Sequence, residues 1–228
     1  MECKGFLFDL DGTLVDSLPA VERAWINWAK DHDIKPQEVL DFIHGKQAIT
    51  SLRHFLQGQT EETIQQEFDA LEKTEASDTQ GIVAMPGAKA LLERLDALDI
   101  PWAIVTSGTV PIASARHHRG ELPAPRAFIT AEQVAKGKPH PDAYLLGAQK
   151  LGLKPEECVV VEDAPAGVLS GLAAGCKVIA VKAPTDTPEL DQVDLVLDSL
   201  EQIEIEKLQG GVKVLLRQEV VCNIVTKL

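Results

Sequence analysis

The segment "DLDGTLVDS", Asp9 to Ser17, places two carboxylates one residue apart directly after an apolar run. A carboxylate there can attack phosphorus and form an aspartyl phosphate. A second acid two residues on can protonate a departing alkoxide and then deprotonate an attacking water. Further along, "IVTSG" ends another apolar run in Thr106 and Ser107, and "CVVVEDAPAG" ends a third in Glu162 and Asp163. "KGKPHPD" supplies Lys136 and Lys138, the latter directly before a proline. If these runs are neighbouring strands, one sheet edge collects the carboxylates of Asp9, Asp11, Glu162 and Asp163, a hydroxyl and an ammonium. Two like charges about 4 Å apart repel by about 4 kcal/mol at the effective dielectric near a protein surface. Four such acids call for a cation, and a hard, oxygen-seeking ion such as Mg2+ meets that need. The lysine and threonine would hold other phosphoryl oxygens as charge redistributes.

The elements that must carry these groups follow from the hydrophobic pattern. "GFLFDLDG", "WAIVTSG", "AFITAE", "CVVVEDAPAG" and "KVIAVKAP" contain short continuous apolar runs, the pattern of strands buried on both faces. Between them lie helical patterns. "PGAKALLERLDALDI" carries Leu91, Leu92, Leu95 and Leu98 on one face, and "HPDAYLLGAQKLGL" carries Ala143, Leu146, Ala148 and Leu151. "PAGVLSGLAAG" starts at Pro165, a good first helical residue, and ends at Gly175, a good residue after a helix. The alternation predicts an α/β, Rossmann-like parallel sheet that binds its ligand beyond the carboxyl ends of the strands.

Residues 16–83 break the alternation. "LPAVERAWINWAKDHDI" places Leu18, Val21, Trp25 and Trp28 at helical spacing, and "TEETIQQEFDALEKTEA" does the same with Ile64, Phe68 and Leu71. The expectation is an all-helical domain of about four helices inserted between core segments 1–15 and 84–228. Its hinges would lie near Val15–Leu18, including Asp16, and near Ile82–Pro86. Trp25 and Trp28 are read as core packing rather than as ligand-stacking groups. "IEIEKLQGGVKVLL" predicts a hairpin turning at Gly210 and Gly211. The closing "RQEVVCNIVTKL" either extends that strand or is loosely held.

Taken in order, "DLDGTLVDS", "IVTSG", the lysine of "KGKP" and "VVVEDAPAGV" resemble the four motifs of the haloacid dehalogenase-like hydrolase superfamily. The resemblance spans Phe6 to about Val181. It implies that Asp9 is the nucleophile and a metal ligand. It implies that Asp11 is the general acid and base, with its backbone carbonyl on Mg2+. Thr106 and the Ser107 N–H would bind phosphate, and Lys138, ranked above Lys136, would neutralise charge. Asp163 would bind the metal, with Glu162 beside it, directly or through water.

The helical insertion resembles the cap of beta-phosphoglucomutase-like phosphatases, which closes over the substrate and excludes water. "FIHGKQAIT" resembles the cap loop that reaches the site, which makes His44 and Lys46 candidate substrate contacts beside Gln47; a solvated loop is the competing reading for each. Dehalogenases of the superfamily lack the second aspartate, and Asp11 is present. Sugar-phosphate mutases carry a histidine where this chain has Val21, which cannot transfer a proton. Phosphonate-cleaving relatives need a Schiff-base lysine, for which only Lys46 offers itself. The expected function is a Mg2+-dependent phosphatase of a small phosphate monoester, a hexose or deoxyhexose phosphate first. A nucleoside monophosphate or short-chain glycolytic ester stays open. A mutase is the alternative, and a protein that binds a phosphate ester without turnover is the alternative of another class, opposed by the intact Asp9 and Asp11.

A formal net charge of −13 over 228 residues repels nucleic acid and anionic membranes. No apolar run is long enough to span a bilayer, and "MECKGFLF" lacks the apolar stretch of a secretory signal. Cys3, Cys158, Cys176 and Cys222 form no CxxC pair, so buried thiols in a reducing, cytoplasmic setting are expected.

Overall fold

The structure, a computed structural model, describes residues 1–44 and 46–217. The chain opens with β1 (Glu2–Cys3) and β2 (Gly5–Phe8), then β3 (Val15–Asp16). Helices α1 (Leu18–Asp31), α2 (Pro36–Ile43), α3 (Ala48–Phe55) and α4 (Glu61–Ser77) follow, closed by β4 (Val83–Ala84). The rest alternates: α5 (Ala88–Ala97), β5 (Trp102–Val105), α6 (Val110–Arg119), β6 (Ala127–Ile129), α7 (Asp142–Lys150), β7 (Cys158–Glu162), α8 (Pro165–Ala173), β8 (Lys177–Val181) and β9 (Leu195–Leu197). A hairpin, β10 (Ile203–Leu208) and β11 (Gly211–Leu216), ends the described chain.

The central sheet has six parallel strands in the order β6-β5-β2-β7-β8-β9. Its apolar runs are buried on both faces, as their lack of alternation requires. Phe6, Phe8, Trp102, Ile104, Val159 and Val161 face one layer of core, and Leu7, Ala103, Val105 and Val160 the other. β2 lies between β5 and β7, so the three motif-bearing ends are neighbours. β9 is a sixth strand beyond the five expected. Its apolar part is three residues long and flanked by acids, too short to announce itself.

The segment between β3 and β4 is helical, with a core of its own built on Trp25, Trp28, Val39, Leu52, Ile64 and Leu71. Trp25 and Trp28 are buried and meet edge to face at 5.5 Å between ring centroids. The Thr60 hydroxyl accepts the Thr63 N–H at 3.2 Å and so caps α4. The two expected hinge regions run side by side: Val15 pairs with Ala84, and Asp16 with Val83, in an antiparallel ribbon. At the other end of the chain, Leu208 pairs with Gly211, so the hairpin turns at Gln209–Gly210 rather than at Gly210–Gly211. β11 also takes β1 as an antiparallel neighbour. The residues from 218 on, with Cys222, lie outside the described residues, as does Gly45 of the helical loop. Cys3, Cys158 and Cys176 are buried free thiols, and burial pushes each up to about 12. No described helix is long and apolar enough to cross a membrane.

Candidate active site

At the end of β2 the chain leaves the sheet through Asp9, whose N–H donates to the Val161 carbonyl at 3.0 Å. Gly12 then turns it with φ near 87°, a conformation that disfavours a side chain. A Cβ there would also lie 2.1 Å from the Asp163 carboxylate. The glycine thus lets the first loop pack against the end of β7. Thr13, next in line, donates its hydroxyl to Asp163 Oδ1 at 3.0 Å.

Lys138 reaches this corner from the loop before α7. Its Nζ donates to Asp9 Oδ1 at 2.6 Å, to Glu162 Oε1 at 2.6 Å and to the Val105 carbonyl at 3.0 Å. An ammonium has three protons, and each has found an acceptor. Burial works to lower its pKa, and the charges of Asp9 and Glu162 outweigh that and raise it. Lys136, the rival, is exposed. Glu162 also accepts the Tyr144 hydroxyl at 2.7 Å, and its second oxygen accepts the backbone N–H groups of Asp163 and Ala164 at 3.1 and 3.3 Å. Only a glycine fits at position 167, since a Cβ there would fall 1.7 Å from Glu162 Oε1.

Asp9, Glu162 and Asp163 each place an oxygen within 4.8 Å of the others. One lysine cannot neutralise three carboxylates. Burial first, then the charge of Glu162, pushes Asp9 up to about 8 against the pull of Lys138. Burial, Asp9 and Glu162 likewise hold Asp163 well above the usual carboxylate range. The donor set is all oxygen and short of positive charge, which fits a hard metal cation. Of its members, Glu162 is the one already committed on both oxygens.

The fourth acid stands apart from this cluster. Asp11 Oδ1 accepts the Ser17 hydroxyl at 2.5 Å, in the range of charge-assisted bonds, and forms an ion pair with Nη1 of Arg116 at 2.9 Å. Arg116 in turn pairs through Nη2 with Glu75 of α4. The expected crowd of four carboxylates is therefore three around Lys138 and one drawn aside by an arginine. Arg116, Glu75, Ser17, Thr13 and Tyr144 all went unread in the sequence. For Glu75 a signal existed: it continues the apolar face Ile64–Phe68–Leu71 at the next helical step.

Both groups open onto one cavity of about 270 Å³ between the sheet edge and the helices. Asp9, Asp11, Thr106, Ser107 and Asp163 line it from below; Val21, Trp25, His44 and Lys46 line it from the helical side. Thr106 is buried and its hydroxyl accepts the Gly108 N–H at 3.0 Å. Lys46 donates to the Phe42 carbonyl at 2.8 Å and rests 3.5 Å from the centroid of the Phe42 ring; partial burial lowers its pKa. His44 Nε2 lies 3.9 Å from Glu22, too far for a hydrogen bond.

The family model of haloacid dehalogenase-like hydrolases matches residues 3–175. The chain belongs to that family. This hydrolase is 70% identical over 211 residues to hexitol phosphatase A of Escherichia coli strain K12, covering 92% of the chain and 98% of that relative. It is 33% identical over 210 residues to glycerol-1-phosphate phosphohydrolase 2 of Saccharomyces cerevisiae, covering 87% and 83%. Among solved structures, a hydrolase from Pseudomonas syringae aligns with a TM-score of 0.77 at 27% identity, over 87% of this chain and 94% of that one.

Proposed function

We propose that this hydrolase is a Mg2+-dependent phosphatase of small, hydroxyl-rich phosphate monoesters, six-carbon polyol and sugar phosphates before others. The observation that carries the reading is the placement of Asp9 and Asp11 on one small cavity, each held by its own cation. In the first half-reaction an Asp9 carboxylate oxygen attacks phosphorus while the ester P–O bond breaks. The departing alkoxide takes a proton from Asp11. In the second, water attacks the aspartyl phosphate, gives a proton to Asp11, and the bond from phosphorus to Asp9 breaks to release phosphate. Mg2+, held by Asp9 and Asp163 with Glu162 and the Asp11 carbonyl beside them, would supply positive charge to the phosphoryl oxygens. Lys138 holds Asp9 in place, and Thr106 and the Ser107 N–H receive the phosphoryl group.

Residues 16–83 serve as a cap over the core formed by 1–15 and 84–228, with the β3–β4 ribbon as its hinge. His44 and Lys46 meet the hydroxyl-bearing end of the substrate. Val21 offers a hydrocarbon face where a mutase needs a proton carrier, which favours hydrolysis over transfer back to the sugar. A reducing, cytoplasmic setting suits the three free thiols. The 70% identity to a hexitol phosphatase supports a hexitol phosphate as the first substrate to try.

Phosphate release from hexitol, hexose, 2-deoxyhexose and glycerol phosphates and from nucleoside monophosphates, each with Mg2+, tests this reading. The highest kcat/KM is expected among the six-carbon esters. No release from any of them would overturn the enzyme reading, and a nucleotide optimum would overturn the substrate class.

The metal has its own signature. Without it, the folded state holds a proton on Asp9 up to about pH 8, whereas the unfolded chain releases that proton near its ordinary value of 3.8. Stability of the metal-free protein therefore falls as pH rises between those values, and Asp163 acts in the same direction. A cation that displaces the protons stabilises most where they are already leaving. Mg2+ at about 100 times its Kd at pH 8 should raise Tm there by roughly 5–10 °C, and the same concentration should raise it by less than half as much at pH 5.5, where protons weaken its binding. Scanning calorimetry at the two pH values checks this; an equal or larger gain at the lower pH would refute it.

A further inference from the structure

We propose that Arg116, oriented by Glu75 of the helical insertion, is the positioning residue for Asp11. The inference rests on the phosphatase reading above and adds to it a device that aligns the acid. Both contacts to the Asp11 carboxylate fall on Oδ1, from Ser17 at the entrance to α1 and from Arg116 on α6. That pins one oxygen and aims the other, Oδ2, as the one to exchange a proton with the leaving group. The guanidinium that does the pinning is not secured by its own helix. Its Nε is buried and has no hydrogen-bond partner among the described residues. Its orientation is set by two carboxylates on opposite sides of the hinge, Asp11 through Nη1 and Glu75 through Nη2. Glu75 is itself a buried residue of α4, so it moves with the insertion.

The Arg116 and Glu75 side chains are each only 5% exposed, so water and salt screen this pair little. If the insertion swings out on the β3–β4 ribbon, Arg116 loses Glu75. A planar fork that has lost one of two carboxylates has no reason to keep the angle at which it grips the other. Asp11 is then aligned for proton transfer only while the insertion lies against the core. Closure and leaving-group protonation become one event.

The test uses leaving groups that do and do not need a proton. A hexitol phosphate expels an alkoxide, which needs Asp11. p-Nitrophenyl phosphate expels a stable phenolate, and acetyl phosphate a carboxylate, which do not. kcat/KM for the hexitol ester and for one of these activated esters is measured on the full-length, Mg2+-loaded protein. Two variants are compared with wild type. Glu75→Gln keeps the shape and removes the charge. Arg116→Met combined with Glu75→Met removes both charges and so leaves neither buried alone. Because a general acid contributes on the order of 10²–10⁴-fold, loss of its alignment should lower kcat/KM for the hexitol ester by about 10²-fold in the double variant. The activated ester should lose less than about fivefold, since its leaving group needs no proton. Glu75→Gln should shift the ratio the same way by a smaller factor. Equal losses on both esters would assign the pair a merely structural role, and no loss on either would remove it from the reaction; each overturns the proposal. Wild type inactive on every ester would instead sink the phosphatase reading, so the two failures are distinct.

Discussion

Asp9→Asn is expected to lower phosphate release by on the order of 10⁴-fold or more while leaving the fold intact. The amide has the volume of the carboxylate and keeps an oxygen to accept the Lys138 proton, which now reaches Asp9 at 2.6 Å. It is a far poorer nucleophile toward phosphorus, so no covalent phosphoenzyme should accumulate. Stability should move the other way. Burial and the neighbouring Glu162 disfavour charge on Asp9, whose pKa stands at about 8 without metal. A permanently neutral side chain needs no proton to be accommodated. The metal-free variant should therefore match or exceed wild type in Tm at pH 8, with a shallower fall in stability between pH 5 and pH 8. Phosphate release, intact-mass detection of the phosphoenzyme and melting at the two pH values check these points. Turnover within tenfold of wild type would exclude Asp9 as the nucleophile.

That prediction was legible from nine residues, and the reason is physical. A strand buried on both faces tolerates few polar residues, so acids at its end are conspicuous, and Gly12 marks where the strand gives way. The same holds for Thr106 and for Glu162 and Asp163. The helical face through Leu91, Leu92 and Leu95 was equally plain, and those leucines are buried. What escaped is short or charged. β3 and β4 have two residues each and exist only because they pair with one another. α6 buries little more than Ile112, Ala113 and an arginine, and ends in four basic residues, so no apolar stripe advertises it. Its Arg116 sits four residues after Ile112, as Glu75 sits four after Leu71. A charge on the apolar face of each of two helices is the trace a buried ion pair leaves in a sequence. Neither position reveals its partner until the helices are packed. Tyr144 hides for another reason: its ring continues a core face, and its part in the site, a hydroxyl on Glu162 and a ring face whose centroid lies 4.9 Å from Lys138 Nζ, shows only once the helices are packed.

Lys138→Met carries the second large effect, because one ammonium ties the site together. It bridges Asp9 and Glu162 and anchors both to the β5 carbonyl of Val105. Methionine fills similar space but leaves two buried carboxylates facing one another with their shared cation gone. Breaking a buried pair by removing one partner costs about 3–5 kcal/mol, or roughly 6–20 °C in Tm for a chain of this size. The carboxylates can escape part of that cost by taking up a proton, so the deficit should be greater at pH 8 than at pH 5. Lys138 itself does not blur the comparison. Its raised pKa keeps it charged across that window, and its stabilisation is lost only as pH climbs through the raised value. Activity should fall by about 10³-fold, the scale of one removed electrostatic partner at a developing charge. Saturating Mg2+ should recover stability more than rate, because a cation relieves the repulsion without restoring the ammonium's grip on Asp9. Lys136→Met is the control. Lys136 is exposed, so wild-type melting and turnover are expected of it, and the reverse pattern between the two variants would hand the role to Lys136.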